Sequence, residues 1–217
     1  MQCCARGEKD DKAGVFFRDQ TILQFGDSWN LLANIILLNP GSALPLSEES
    51  KTDFLRTKNL PFFVEPKGQE KYVEFSIDRL MLNIMKLFSS NFDGGTIRLY
   101  NLFNLKNQNS GEAIKQFQEN LKHPKMFSPH SEIIFCDAPV IVAPGSNAKK
   151  PNLKKQLIRH IHLASKENLF SLSYKEPKKY HFTKAKVDSE GFIHSYHSSY
   201  THMYGNKTDI GELSTQK

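Results

Sequence analysis

The 217-residue sequence holds only three cysteines, one tryptophan and no apolar run near the ~20 residues that a membrane-spanning helix needs. Three cysteines fall short of a four-cysteine iron–sulfur or zinc site. Neither of the glycine-rich phosphate loops of P-loop ATPases and dinucleotide oxidoreductases occurs, and there is no H-E-x-x-H pair of zinc ligands. The opening "MQCCARGEKDDKAG" has no apolar core of the kind a signal peptide carries. A cytoplasmic protein with no membrane contact, no cofactor and no metal is therefore expected. Cys3 and Cys4 fall in a stretch that reads as a tail, and Cys136, within "IIFCDAPV", reads as a small buried apolar residue.

What the chain does have is positive charge, a formal net +6. Lys149, Lys150, Lys154 and Lys155 crowd "NAKKPNLKKQLIRH", and Lys175, Lys178, Lys179, Lys184 and Lys186 crowd "YKEPKKYHFTKAK", around Tyr180, His181 and Phe182. Two basic clusters, one interleaved with aromatics, suit a phosphate backbone with accessible bases. Solvated lysine-rich faces give the same composition and stand as the alternative.

The apolar pattern predicts alternating strands and helices. "GVFFRDQTILQFGDS" reads as two short strands turning near Asp19-Gln20, an edge hairpin. "NIILLNPG" reads as a central strand covered on both faces, since its aliphatic run does not alternate. Residues 46–72, rich in proline and charge, read as a long surface excursion. "VEFSIDRLMLNIMKLFSSNF" places Ile77, Leu80, Met81, Ile84, Met85 and Phe88 on one helical stripe. "TIRLYNLF" is a second strand and leads to a helix N-capped by Ser110; "APVIVAPG" is a third and leads to a helix starting at Pro151; "NLFSLSY" is a fourth. The expected fold is α/β, with a central, mainly parallel four-stranded sheet between helical layers and an N-terminal edge hairpin. Residues 1–13 and 205–217 are expected to be flexible tails around a single domain, 14–204. In such sheets ligands sit beyond the carboxyl ends of the strands. Those ends here read Asn39-Pro40-Gly41, Asn101 to Asn104 and Pro144-Gly145-Ser146-Asn147.

"IILLNPGSA" resembles the first motif of the uracil-DNA glycosylase superfamily, closest to its mismatch-specific uracil/thymine branch, in which a strand ends in asparagine followed by Pro-Gly. "IRLYNLFNL" is similar to the superfamily's second strand motif, and "YHSSYTHMYG" to its last, a loop that wedges into the duplex. The resemblance covers strand ends across residues 33–204 and implies a monofunctional DNA N-glycosylase, a monomer whose partner is DNA. It would flip out a damaged or modified base, the hypermodified bases of viral genomes included, and leave an abasic site, as in antiviral defence. It further implies Asn39 and His197 as catalytic residues, and Pro40, Gly41, Asn101 and Asn104 around the base, with Phe54, Phe62 or Phe63 stacking on it. Ser146, Asn147, Lys149, Lys150, Lys154, Ser198 and Ser199 would hold the DNA backbone. The classical acidic residue is replaced by Asn39, and an amide cannot take a proton from water. The proline that normally follows the last motif's histidine is also missing after His197.

Two other readings stay open. His181, His194, His197 and His202 with Asp188 invite a metal-dependent hydrolase, although their spacing matches no recognised zinc pattern. The missing acid also suits a non-catalytic module that binds nucleic acid or a nucleotide.

Overall fold

Ile35, Ile36, Leu37 and Leu38 follow one another without a polar residue because each face of the strand they build is covered by a different core. Ile35 and Leu37 enter one cluster, Ile36 and Leu38 the other, the alternation that a pleated strand imposes. The computed structural model describes residues 1–176, 179–201, 207–209 and 213. In chain order its elements are β1 (Gln2–Asp10), β2 (Val15–Phe25), β3 (Leu31–Leu37), β4 (Pro45–Ser50), α1 (Thr52–Arg56), β5 (Tyr72–Phe75), α2 (Arg79–Ser89), β6 (Gly95–Asn101), α3 (Ser110–Glu119), β7 (Val140–Val142), α4 (Pro151–Ile161), β8 (Leu169–Glu176), β9 (Lys179–Lys184) and β10 (Lys207–Asp209).

Among the described residues the strands form one ten-stranded sheet in the order β10-β9-β8-β7-β3-β6-β2-β1-β5-β4. Five of its nine neighbouring pairs are antiparallel and four are parallel. This overturns the expected fold, a four-stranded, mainly parallel sheet between helical layers: the sheet is far wider, and most of its pairs are antiparallel. The added strands come from segments whose charge or proline content masks their β character. The supposed N-terminal tail is β1, which lies between β2 and β5 and buries Cys3, Cys4 and Ala5. Of the supposed C-terminal tail, β10 pairs with β9 and Leu213 is buried. The excursion supplies β4, α1 and β5, and its Leu55, Leu60, Phe62 and Tyr72 make a third core. The sheet ends at β4, where Pro45, Glu48 and Glu49 protect the open edge from pairing with another chain.

The edge hairpin is also absent. β2 runs from Val15 to Phe25 without turning at Asp19-Gln20. Gln20 instead takes φ +50 at a bulge, where the pairing with β1 shifts register between Cys4 and Arg6. Its side chain donates to the Glu132 carbonyl at 3.1 Å and accepts from Arg98. Arg98 is fully buried in β6, between the rings of Phe62 and Tyr100 at 5.2 and 5.1 Å.

Helix α2 packs Met81, Ile84, Met85 and Phe88 on one sheet face, beside Leu37, Ile97 and Leu99. Burying each such side chain contributes roughly 1.5–3 kcal/mol. Helix α3 (Ala113, Ile114, Phe117) and helix α4 (Leu153, Leu157, Ile161) cover the other face. Asp78 caps α2, its carboxylate accepting from the Met81 N–H at 3.0 Å. The cap of α3 is Asn109 rather than Ser110, accepting from Gly111 and Glu112. Cys136 is exposed with φ +50, because it sits in a turn before β7 and not within a strand. Burial pushes the Cys3 thiol up to about 12 and that of Cys4 up to about 11, so neither is a reactive thiolate.

His160 lies at the buried face of α4, with Nδ1 on the Gln156 carbonyl at 2.7 Å and Nε2 without a partner. Burial lowers its pKa from 6.5 to about 4. Between those values the unfolded chain binds the proton and the folded chain does not, so this contribution is whole above pH 6.5 and lost as pH falls toward 4. It amounts to about 3 kcal/mol. Urea unfolding should therefore show wild type losing about 3 kcal/mol more than His160→Leu between pH 7 and pH 4; parallel pH profiles would refute this assignment.

Candidate functional site

The chain leaves the carboxyl ends of β3, β7 and β8 on one side of the sheet, around a cavity of about 870 Å³. Asn39 and Gly41 come from the exit of β3, and Ser146, Asn147 and Lys149 from the turn after β7. Asp78, Arg79, His194, His197 and Ser199 are also among its polar lining residues.

Asn39 is half-buried. Its Nδ2 donates to the Asn107 carbonyl at 2.8 Å and to the Pro40 carbonyl at 3.3 Å. Carbonyls only accept, which fixes the amide with nitrogen inward and leaves Oδ1 as the acceptor it offers. Asn107 is itself held, its Nδ2 on Gln116 Oε1 at 3.0 Å and its Oδ1 under the Asn109 N–H at 2.8 Å. Pro40 shapes the corner from behind and does not line the cavity. Beside it the backbone approaches Asp78 so closely that a Cβ on Gly41 would lie 2.6 Å from Asp78 Oδ2.

Asp78 is the group that sequence reading missed. It supplies a carboxylate on the same wall as Asn39, brought there by α2 and not by the strand motif. Arg79 lines the same cavity, while Arg18, behind the corner, is 2% exposed and pairs with no carboxylate among the described residues; Arg18 donates to the Ala43 carbonyl at 3.4 Å. Burial lowers the Arg18 pKa, while Cys3 and Asp78 act in the opposite direction. The only sequence signal for Asp78 was its place as an N-cap, in "SIDRLM".

His197 is brought in by the segment after β9. This segment runs beside the ends of β7 and β8, with Ser198 N–H on the Ala143 carbonyl at 3.2 Å and Tyr196 N–H on the Leu172 carbonyl at 3.1 Å. The Ser199 N–H donates to His197 Nδ1 at 3.1 Å, and the Ser199 hydroxyl lies 2.8 Å from the same atom. An amide N–H can only donate, so Nδ1 is the unprotonated nitrogen of a neutral ring and Nε2 carries the proton. Gly145 makes this approach possible. It has φ +77 and ψ −171, and a Cβ there would lie 2.9 Å from His197 Cβ.

Other expected site residues lie elsewhere. Asn101 is buried behind the corner, with Oδ1 unpartnered, in a void of about 10 Å³ shared with Arg18 and Thr21. Asn104 faces a separate cavity of about 400 Å³, donating to the Lys125 carbonyl at 3.1 Å and accepting from Ser128 at 3.3 Å. Phe62 is fully buried, Phe63 stacks on Tyr72 at 5.2 Å, and Phe54 meets Trp29 edge-on at 5.6 Å. Phe62 and Phe63 lie in or against the third core and Phe54 is exposed beside Trp29, and none of the three lines the main cavity. The aromatic residues that do reach it include Tyr174, Tyr196 and Tyr200. Ser198 is buried, whereas Lys150 is exposed at the start of α4. Lys154 lies 2.6 Å from Glu190 and so is committed to an ion pair. Lys184 stands 4.2 Å over the Phe170 ring. His194 lines the main cavity, with Nε2 3.4 Å from Asp188 Oδ2, but among the described residues no three His, Cys, Asp or Glu side chains converge as metal ligands. His202 and Lys178 lie outside the described residues.

Gly145→Ala should cost about 1–3 kcal/mol of stability, because its conformation is one that only glycine adopts without strain, and should push His197 away from the turn. A chemical-denaturation midpoint equal to that of wild type would show that the turn does not depend on glycine. No protein-family model, curated protein or solved structure matches the chain, so its chemistry is argued from the groups gathered in this cavity.

Proposed function

We propose that the protein is a DNA glycosylase that hydrolyses the N-glycosidic bond of a flipped-out nucleotide and leaves an abasic site. The observation that carries the reading is one cavity holding the Asn39 amide, the Asp78 carboxylate and a neutral His197 whose Nε2 bears the proton. Its volume of about 870 Å³ falls in the upper part of the ~300–1,000 Å³ range of ligand pockets. That favours a nucleoside with an enlarged or modified base over bare uracil, and hypermodified viral DNA is the natural source of such bases. DNA is then the partner and the cytoplasm the place of action. Among the described residues no helix is long and apolar enough to cross a membrane.

The Asp78 carboxylate removes the difficulty left by the missing acid of the strand motif. A water held by Asn39 Oδ1 attacks the anomeric carbon while Asp78 accepts its proton. The glycosidic bond breaks with its electron pair leaving on the base, and His197 Nε2–H donates to the charge that develops there. Lys149 and Lys150, exposed beside the turn after β7, supply positive charge for the backbone that base flipping strains.

Two measurements test this. Asn39→Ala and Asp78→Asn should each lower base release at least ~100-fold, read as alkali-sensitive breaks and as free base by mass spectrometry on natural, deaminated and virally modified DNA. Asparagine also caps helices, so Asp78→Asn should retain the wild-type fold; turnover at the wild-type rate in either variant would reject the mechanism. Changing Lys149 and Lys150 together to alanine should weaken DNA binding and flatten its dependence on salt by about two phosphate contacts. An unchanged slope of affinity against salt would remove both lysines from the interface.

A further inference from the structure

Tyr174, Tyr196 and Tyr200 are 48%, 43% and 36% exposed, and all three stand on the lip of the main cavity. They form one patch around the buried Tyr180. Ring centroids are 5.2 Å apart for Tyr174 and Tyr180, 5.4 Å for Tyr180 and Tyr196, and 5.6 Å for Tyr196 and Tyr200. The rings come from three segments: Tyr174 from β8, Tyr180 from β9, and Tyr196 with Tyr200 from the loop that carries His197. Single exposed apolar residues are ordinary, but contiguous exposed rings at the mouth of a polar cavity mark a binding surface.

The charge around the patch selects its occupant. Lys149 and Arg79 line the same cavity, Lys150 is exposed next in the chain to Lys149, and the first turn of α4 contains no acidic residue. Aromatic faces next to cations suit a polyanion that carries flat rings. A duplex keeps the faces of its bases inside the stack, so tyrosines can pair only with bases that are already unpaired. A flipped base inside the cavity faces the wall of Asn39, Asp78 and His197, whereas the three exposed rings at its mouth are open to the nucleotides on either side. We infer that Tyr174, Tyr196 and Tyr200 form a stacking platform for the unpaired nucleotides flanking the target, so that the substrate is single-stranded DNA. This rests on the glycosylase reading for what enters the cavity, but the platform itself requires no chemistry.

The test therefore uses binding without turnover. Fluorescence anisotropy with the full chain and a labelled 12-nucleotide oligodeoxythymidylate, single-stranded or annealed to its complement, should show the single strand bound at least ~10-fold more tightly. Tyr174→Ala and Tyr196→Ala should each weaken single-strand binding about 5- to 100-fold, the range for one lost base stack. Tyr174→Phe and Tyr196→Phe should bind as wild type, because stacking uses the ring and not the hydroxyl. Equal affinity for both forms of DNA, alanine variants that bind as wild type, or phenylalanine variants as weak as alanine would each overturn the platform. If tyrosine-dependent single-strand binding is found but no DNA releases a base, the glycosylase reading falls and the platform stands. If bases are released from duplex at rates that the alanine changes leave untouched, the platform falls and the glycosylase reading stands.

Discussion

The placement of β3 between β6 and β7, parallel to both, is the constraint from which the rest of the site follows. Parallel neighbours end at the same side of a sheet, so the exits of β3, β7 and β8 must share one rim. The turns after β3 and β7 bring Asn39, Ser146 and Asn147 to one cavity, and β8 itself brings Ser173. Strand β3 can occupy its position because both its faces are covered, α2 on one side and α3 with α4 on the other. The one polar residue of β3, Asn34, is fully buried and donates to the Phe135 carbonyl at 2.8 Å; a polar side chain left unpaired there costs roughly 1–3 kcal/mol.

At the rim, hydrogen bonds fix the orientation of Asn39 and the tautomer of His197. Asn39 is tied through Asn107 to α3, and the His197 tautomer is set by a backbone amide two residues along the chain. Two glycines make the approach possible. Gly41 lets the β3 exit reach Asp78, and Gly145 lets the β7 exit reach His197. The cavity thus combines an acceptor, a carboxylate and an imidazole N–H donor, a set able to take a proton on one side of a bond and stabilise charge on the other.

The opposite half of the sheet is held by charge. Arg6 lies 2.7 Å from Asp19, 2.9 Å from Glu70 and 2.5 Å from Glu132, and Lys125 reaches Glu70 at 2.6 Å. These contacts tie β1 and β2 to the loops that follow α1 and α3, next to the bulge at Gln20. A buried network of this kind adds little stability over an apolar core but disfavours other registers, since any slip leaves charges unpaired. Asn104 belongs to this half, which is why it takes no part in the main cavity.

Residue pattern alone determined the elements with a strong periodic signal. β3 announced itself by an uninterrupted aliphatic run, α2 by its stripe, and α4 by proline at its first position. Turn residues at strand ends are a local feature and marked Asn39, Gly41, Ser146 and Asn147, the basic cluster marked Lys149, and the family resemblance implied His197 and Ser199; all seven line one cavity. Tertiary structure decided the width and pairing of the sheet. Strands such as β1 and β4 carry charges that local pattern reads as tail or loop, and only neighbours to pair with make them strands. It likewise decided the partners of Asn39. Asp78 and the tyrosines lie far from it along the chain but line the same cavity, a relation that sequence periodicity does not encode, whereas Asn101 is buried behind the corner and Phe62 and Phe63 pack in or against the third core.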